Sequence, residues 1–275
     1  MKPLLAPARP PDAKLLSTHA LGISGVFLSN DYEEFEHSRQ RLLNQLGQIT
    51  SAIRLDLEEC LDNRGADSLR TYVLASDDVN AGRVSFASNP YGETQWTSVT
   101  AMLFWQSLPS PIEEVVDAID GLWERATWSV LYAYDEDDFT LQNVRSMPGM
   151  EMYGIDAEQV ELVSAIGGVV REIDTRANPG YFLNQEGLFW SVQWLNYWNA
   201  ETQLRMFGQL LRQLPEGMQA KRLGEGAIRV RLSDRPGHFD DVCFHEQQLM
   251  FRQCVPFLYT ANPYRAMGPE TNGPA

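Results

Sequence analysis

The spacing of apolar and polar positions predicts a mixture of short strands and amphipathic helices. Leu21–Leu28 reads as a strand. Residues 31–62 carry Phe35, Leu42, Leu46, Ile49, Ile53, Leu57 and Cys60 on one helical face, which predicts a long helix with Gly47 as a bending point. Thr71–Ala75 and Arg83–Ala87 read as paired strands around a polar turn at 77–82, followed by an aromatic-rich stretch through Trp96, Phe104 and Trp105. The helix at 111–125 is the most clearly marked. Ser110 is its predicted cap, Pro111 its first residue and Glu113 its third, and Ile112, Val115, Val116, Ile119, Leu122 and Trp123 form its apolar stripe.

Trp128–Tyr134 alternates as a strand and runs into Asp135-Glu136-Asp137-Asp138. Residues 157–174 place Leu162, Val163, Ile166, Val169, Val170 and Ile173 on one side, predicting a helix that Gly167-Gly168 weakens. Leu188–Trp198 predicts one strand with Leu188, Trp190, Val192, Trp194 and Trp198 on a shared face. Glu201–Leu214 predicts a helix, and Ile228, Val230 and Leu232 alternate with Arg229 and Arg231 as a strand with one wet face. Asp241–Val255 predicts a final helix. The order lacks a strict βαβ rhythm, so the expected fold class is α+β: a mixed or antiparallel sheet covered by amphipathic helices. The expected organisation is a proline-rich arm at 1–14, a single domain at 15–260 and a flexible tail at 261–275.

Composition narrows the function classes. With 44% hydrophobic and 21% charged residues among 275, the chain is globular rather than disordered. Its net charge is −15, and residues 1–170 hold 26 acids against 11 bases, so all of the imbalance lies there. Such a field repels nucleic acid and anionic membranes and attracts basic partners. The three cysteines, Cys60, Cys243 and Cys254, form no Cys-x-x-Cys pair, which argues against a zinc site or a disulfide framework. Without a long apolar run or a signal-peptide core, the expectation is a cytoplasmic protein with no cofactor, no metal and no nucleic acid or membrane partner.

No signature of catalysis stands out. The chain lacks a nucleophile elbow, a phosphate-binding loop and a dinucleotide fingerprint, and Asp135–Asp138 lacks the glycine and ligand spacing of a calcium loop. The densest reactive group is His238, Asp240, Asp241, Cys243, His245 and Glu246. On the final helix, Cys243, Phe244, Met250, Phe251, Cys254 and Val255 define the expected buried face, which leaves Asp241 and His245 toward solvent and the acids as caps. Trp190, Trp194 and Trp198 are expected in the core rather than on a base-stacking platform.

The polar face of the helix at 111–125 carries Glu113, Asp117, Asp120 and Glu124 as one stripe of like charge, with Arg125 outside it. Like charges at these spacings are mutually destabilising, and two of the four lie at the helix end that the dipole disfavours. Together with Asp135, Glu136, Asp137 and Asp138 they form the candidate surface for a basic protein partner. The alternative is a solvated face relieved by arginines elsewhere, such as Arg229 and Arg231.

Two segments carry a resemblance. Trp194-Leu195-Asn196-Tyr197-Trp198, followed by a helix, resembles the central motif of a family of bacterial polymorphic-toxin immunity proteins. Gly226–Pro236 resembles that family's C-terminal strand and turn, with a terminal helix after it. The likeness covers residues 128–258. It implies an α+β protein that binds and silences a cognate restriction-endonuclease-like toxin, often one delivered by type VI secretion, and it transfers no catalytic residues. The function expected is therefore an immunity protein, not an enzyme. The alternatives are a metal-dependent hydrolase using the His238–Glu246 cluster and a non-enzymatic scaffold.

Overall fold

A computed structural model of the chain describes residues 20–28, 33–34, 37–42, 44–45, 69–75, 80–88, 96–104, 112–152, 162–164, 171–173, 175, 178–185, 188–208, 211 and 214–253. The expected arm and tail, most of the long helix beyond residue 45, and Ser110 and Pro111 lie outside these residues.

The fold is α+β, built on an antiparallel sheet. Its strands are β1 (Ala20–Leu28), β2 (Leu69–Ala75), β3 (Asn80–Ser88), β4 (Trp96–Phe104), β5 (Trp128–Asp135), β10 (Leu195–Trp198), β11 (Gln219–Arg222) and β12 (Ile228–Arg231). They lie in the order β11-β12-β10-β5-β1-β4-β3-β2, each neighbouring pair antiparallel. Two small hairpins complete the strands: β6 (Leu162–Ser164) with β7 (Arg171–Ile173), and β8 (Leu183–Gln185) with β9 (Leu188–Trp190). The helices are α1 (Glu113–Trp123), α2 (Glu136–Asn143), α3 (Met147–Met152), α4 (Ala200–Phe207) and α5 (Val242–Gln253).

β5 lies at the centre, and every one of its residues except Ser129 is buried, so both faces of the sheet are covered there. On one face lies α1, which buries Val115, Val116, Ile119 and Leu122. Among the described residues it starts at Glu113 with Ile112 in the capping position, whose side chain makes no cap hydrogen bond. Helical residues at 37–42 and 44–45 support α1 from outside: Leu42 is buried and Gln45 Nε2 donates to the Ala118 carbonyl at 3.1 Å.

The other face is aromatic. Trp198 stacks on Trp190 at 5.7 Å and on Phe251 of α5 at 5.7 Å, and Phe207 of α4 meets it edge-on. Trp198 Nε1 donates to the Tyr132 hydroxyl at 3.0 Å, so the buried indole keeps its hydrogen bond. Trp190, Trp194 and Trp198 are all buried, as the core assignment requires.

Three expectations are corrected here. Residues 162–164 and 171–173, expected within a helix, are strands; Val163 and Ile173 are β-branched and fit a hairpin as readily as a helix stripe. Leu188–Trp198 is two strands in different sheets, broken at 191–194, where Asn196 Oδ1 accepts from Gln193 N and its Nδ2 donates to Gln193 O. The helix expected to reach Leu214 stops at Phe207, because Gly208 takes the left-handed conformation (φ 66°) that closes a helix.

Candidate functional site: an ion-paired acidic helix and an aspartate–histidine cluster

The stripe on α1 faces the sheet more closely than its sequence implies. Asp120 is buried. Its Oδ1 accepts from the Tyr197 hydroxyl at 2.8 Å, and its Oδ2 accepts from Lys221 Nζ of β11 and Arg229 Nη1 of β12, both at 2.7 Å. Burial, with the Asp120 carboxylate second, pushes the Tyr197 phenol well above its ordinary value, so it stays a donor. Trp123 stacks on the Tyr197 ring at 5.5 Å.

Glu113 Oε1 accepts from Arg231 Nη1 at 3.0 Å. That hydrogen bond is the main cause holding the Glu113 carboxyl below its ordinary value of 4.5. Arg231 is itself buried, donates Nε to the Ser233 carbonyl at 2.9 Å and lies over the Trp194 ring. The β12 strand therefore has no wet face: Arg229 and Arg231 project under α1 as counter-charges. The stripe is not free of cationic neighbours either, since they arrive from strands about a hundred residues away in sequence. Glu114, Asp117 and Glu124 remain exposed, and with the half-paired Glu113 they form the acidic surface of α1.

The second half of the candidate surface turns inward. Asp135, Asp137 and Asp138 are buried and Glu136 is half-buried, so three of these four acids are not available as an open contact surface. Asp135 caps α2, its Oδ1 accepting from Asp138 N at 3.0 Å. Burial pushes the Asp135 carboxyl up to about 7, opposed by that amide and by His238, and reinforced by the charges of Asp138 and Asp137. Asp138 is also raised, by burial first, while its bond to His245 opposes the shift.

His245 sits opposite to its expected position. It is buried, its Nε2 lying 2.7 Å from Asp138 Oδ1, whereas Cys243 and Met250 are exposed. The buried face of α5 is Phe244, His245, Gln248, Phe251 and Arg252. Each polar member has a partner: Gln248 Nε2 donates to the Val192 carbonyl at 2.6 Å, Arg252 Nη1 donates to the Asn178 carbonyl, and His245 meets Asp138. Gln142 links α2 to this layer, donating Nε2 to Asp138 Oδ2 at 2.7 Å and accepting at Oε1 from Gly180 N. An apolar-only stripe misses this face. The signal was present in the 244/245/248/251/252 spacing once polar residues are admitted to the core.

Of the six reactive residues from His238 to Glu246, His238 and Asp240 pair with each other, but the six do not converge on one site. Asp241 caps α5, accepting from Phe244 N at 3.0 Å, as expected of an acid at that end. Glu246 and Cys243 are exposed. His238 stays paired with Asp240, its Nδ1 lying 2.9 Å from Asp240 Oδ1, and turns its Nε2 toward α2, 3.9 Å from Asp137 Oδ2. One oxygen each of Asp135 and Asp137 and one nitrogen of His238 lie within 4.8 Å of one another.

Together these features define an α+β protein with an acidic helix clamped on an antiparallel sheet and a mixed carboxylate–imidazole cluster at the end of its central strand. No family model and no curated protein matches the chain. Among solved structures it is similar to the Pseudomonas aeruginosa T6SS protein PA0821, at 12% identity and a TM-score of 0.52, over 87% of this chain and 74% of that one. At this identity the likeness concerns the fold. No helix among the described residues is long and apolar enough to cross a membrane.

Proposed function

We propose that the chain is an immunity protein that binds a cognate nuclease toxin of a type VI secretion system and silences it by stoichiometric association in the cytoplasm. The observation that carries this reading is the fold shared over 87% of the chain with a protein of that system. The acidic charge agrees with it, because a nuclease presents a basic face to phosphate and an acidic protein surface competes for that face. The contact surface assigned to the partner is the exposed part of α1: Glu113, Glu114, Asp117 and Glu124. The experiment is co-expression with candidate nuclease toxins of a type VI secretion system from the same genome, followed by purification and a nuclease assay. A stable complex without nuclease activity is the expected result. Free, active nuclease in the presence of folded protein would overturn the assignment.

A further inference from the structure

We propose that Asp135, Asp137 and His238 form a binding site for one divalent transition-metal ion, best matched by zinc, that pins the end of the central strand to the loop preceding α5. This inference is independent of the immunity reading.

The ligands come from two segments about a hundred residues apart, which the fold brings together: the β5–α2 junction and the loop before α5. Their donor atoms lie within 4.8 Å of one another, and Asp137 Oδ2 and His238 Nε2 are 3.9 Å apart. Bonds of about 2.0–2.2 Å to one ion would place two ligands roughly 3–3.5 Å apart, so side-chain adjustments of an ångström or so suffice. The donor set, two carboxylates and one imidazole, matches borderline cations such as zinc rather than calcium, which takes oxygen ligands alone.

The surroundings of His238 add a separate reason. Asp240 Oδ1 lies 2.9 Å from its Nδ1, which is the carboxylate–imidazole arrangement that orients a metal-ligating histidine by its other nitrogen. The ring also packs against Phe239, with centroids 4.1 Å apart, so its orientation is held. His245 serves Asp138 at 2.7 Å, while Asp135 and Asp137 turn to the other histidine. Metal ligands bind in their deprotonated forms, and the −2 charge of two carboxylates beside an imidazole would match a divalent ion in this buried setting. The His238 side chain is 24% exposed against 5% for Asp137, while its Nε2 is itself buried, so the site lies just beneath the surface.

The test uses the full chain, stripped with chelator and dialysed against micromolar zinc, with metal content read by elemental analysis and stability by thermal melts. Wild type is expected to retain one zinc per chain and to melt at higher temperature with it. His238→Gln, at a partly exposed position and checked for folding by circular dichroism, should lose the zinc and the zinc-dependent rise in Tm. Asp240→Asn should weaken zinc binding by about ten- to a hundredfold, because the histidine loses its orienting partner. His37→Gln, in the groove lined by Glu33, Glu34 and Gln40, should change nothing. Absence of zinc from wild type, zinc that survives His238→Gln, or zinc lost in His37→Gln instead would each overturn the proposal. Stoichiometric binding of magnesium or calcium without zinc would also overturn it, since the histidine would then have no part.

Discussion

Replacing Asp120 with asparagine tests whether the acids of α1 serve the fold or the surface. The substitution keeps an acceptor for the Tyr197 hydroxyl, now at 2.8 Å from Oδ1, but removes the charge that Oδ2 presents to Arg229 and Lys221 at 2.7 Å each. The Arg229 side chain is 12% exposed and cannot recover hydration, whereas that of Lys221 is 53% exposed and can swing into water. Removing one partner of a buried pair costs about 3–5 kcal/mol, and a half-exposed pair contributes about 1 kcal/mol or less. Asp120→Asn should therefore cost about 3 kcal/mol, nearly all of it through Arg229, and Lys221→Met about 1 kcal/mol or less. Urea melts measure both, with an unchanged m-value as the check that the unfolded state is unaltered. A double-mutant cycle with Arg229→Met isolates the coupling and should return most of the Asp120 loss. If Asp120→Asn melts with wild type, or if the cycle shows no coupling, the network is a surface feature and the clamped-helix account is wrong.

Four further outcomes follow from the same geometry. Asp117→Asn with Glu124→Gln should leave urea melts unchanged while slowing association with a basic nuclease and flattening its salt dependence, read by stopped flow at several salt concentrations; unchanged association removes α1 from the contact surface. Trp198→Ala should cost roughly 3–5 kcal/mol in urea melts, because the indole stacks on Trp190 and Phe251 and donates to Tyr132; a stable variant refutes the aromatic-core reading. His245→Ala should cost about 3–5 kcal/mol by leaving the Asp138 carboxyl buried without its imidazole, and Asp138→Asn in the same background should recover part of that loss. Glu113, held below 4.5 by Arg231, contributes stability that is present above that value and is lost as pH falls through its lowered folded value; Glu113→Gln should flatten that part of the acid limb of a stability–pH curve.

Much of the secondary structure was legible from the chain because it is locally encoded. The apolar spacing of Val115, Val116, Ile119 and Leu122 determines both the helix α1 and the face it buries, since a period of 3.6 puts those residues on one side whatever packs there. The strands β1, β5 and β12 and the pairing of β2 with β3 were legible for the same reason, as was the burial of the three tryptophans. Where local periods coincide, the chain alone does not decide: Leu162–Ile173 carries a pattern that suits a helix or a hairpin, and in the structure Leu162–Ser164 pairs with Arg171–Ile173.

The candidate site was less legible, because charge patterns say which side chains are polar but not which polar partner folding will deliver. Asp120 looked like one of four solvated acids until β11 and β12 brought Lys221 and Arg229 to it across about a hundred residues. Asp135, Asp137 and Asp138 looked like a solvated run, yet the central strand ends in the interior and carries them in with it. His245 and Gln248 joined the core because hydrogen-bonding partners from α2 and from Val192 were waiting there. A buried polar group left without its bonds costs about 1–3 kcal/mol, so whether it enters the core depends on the long-range geometry that supplies those bonds.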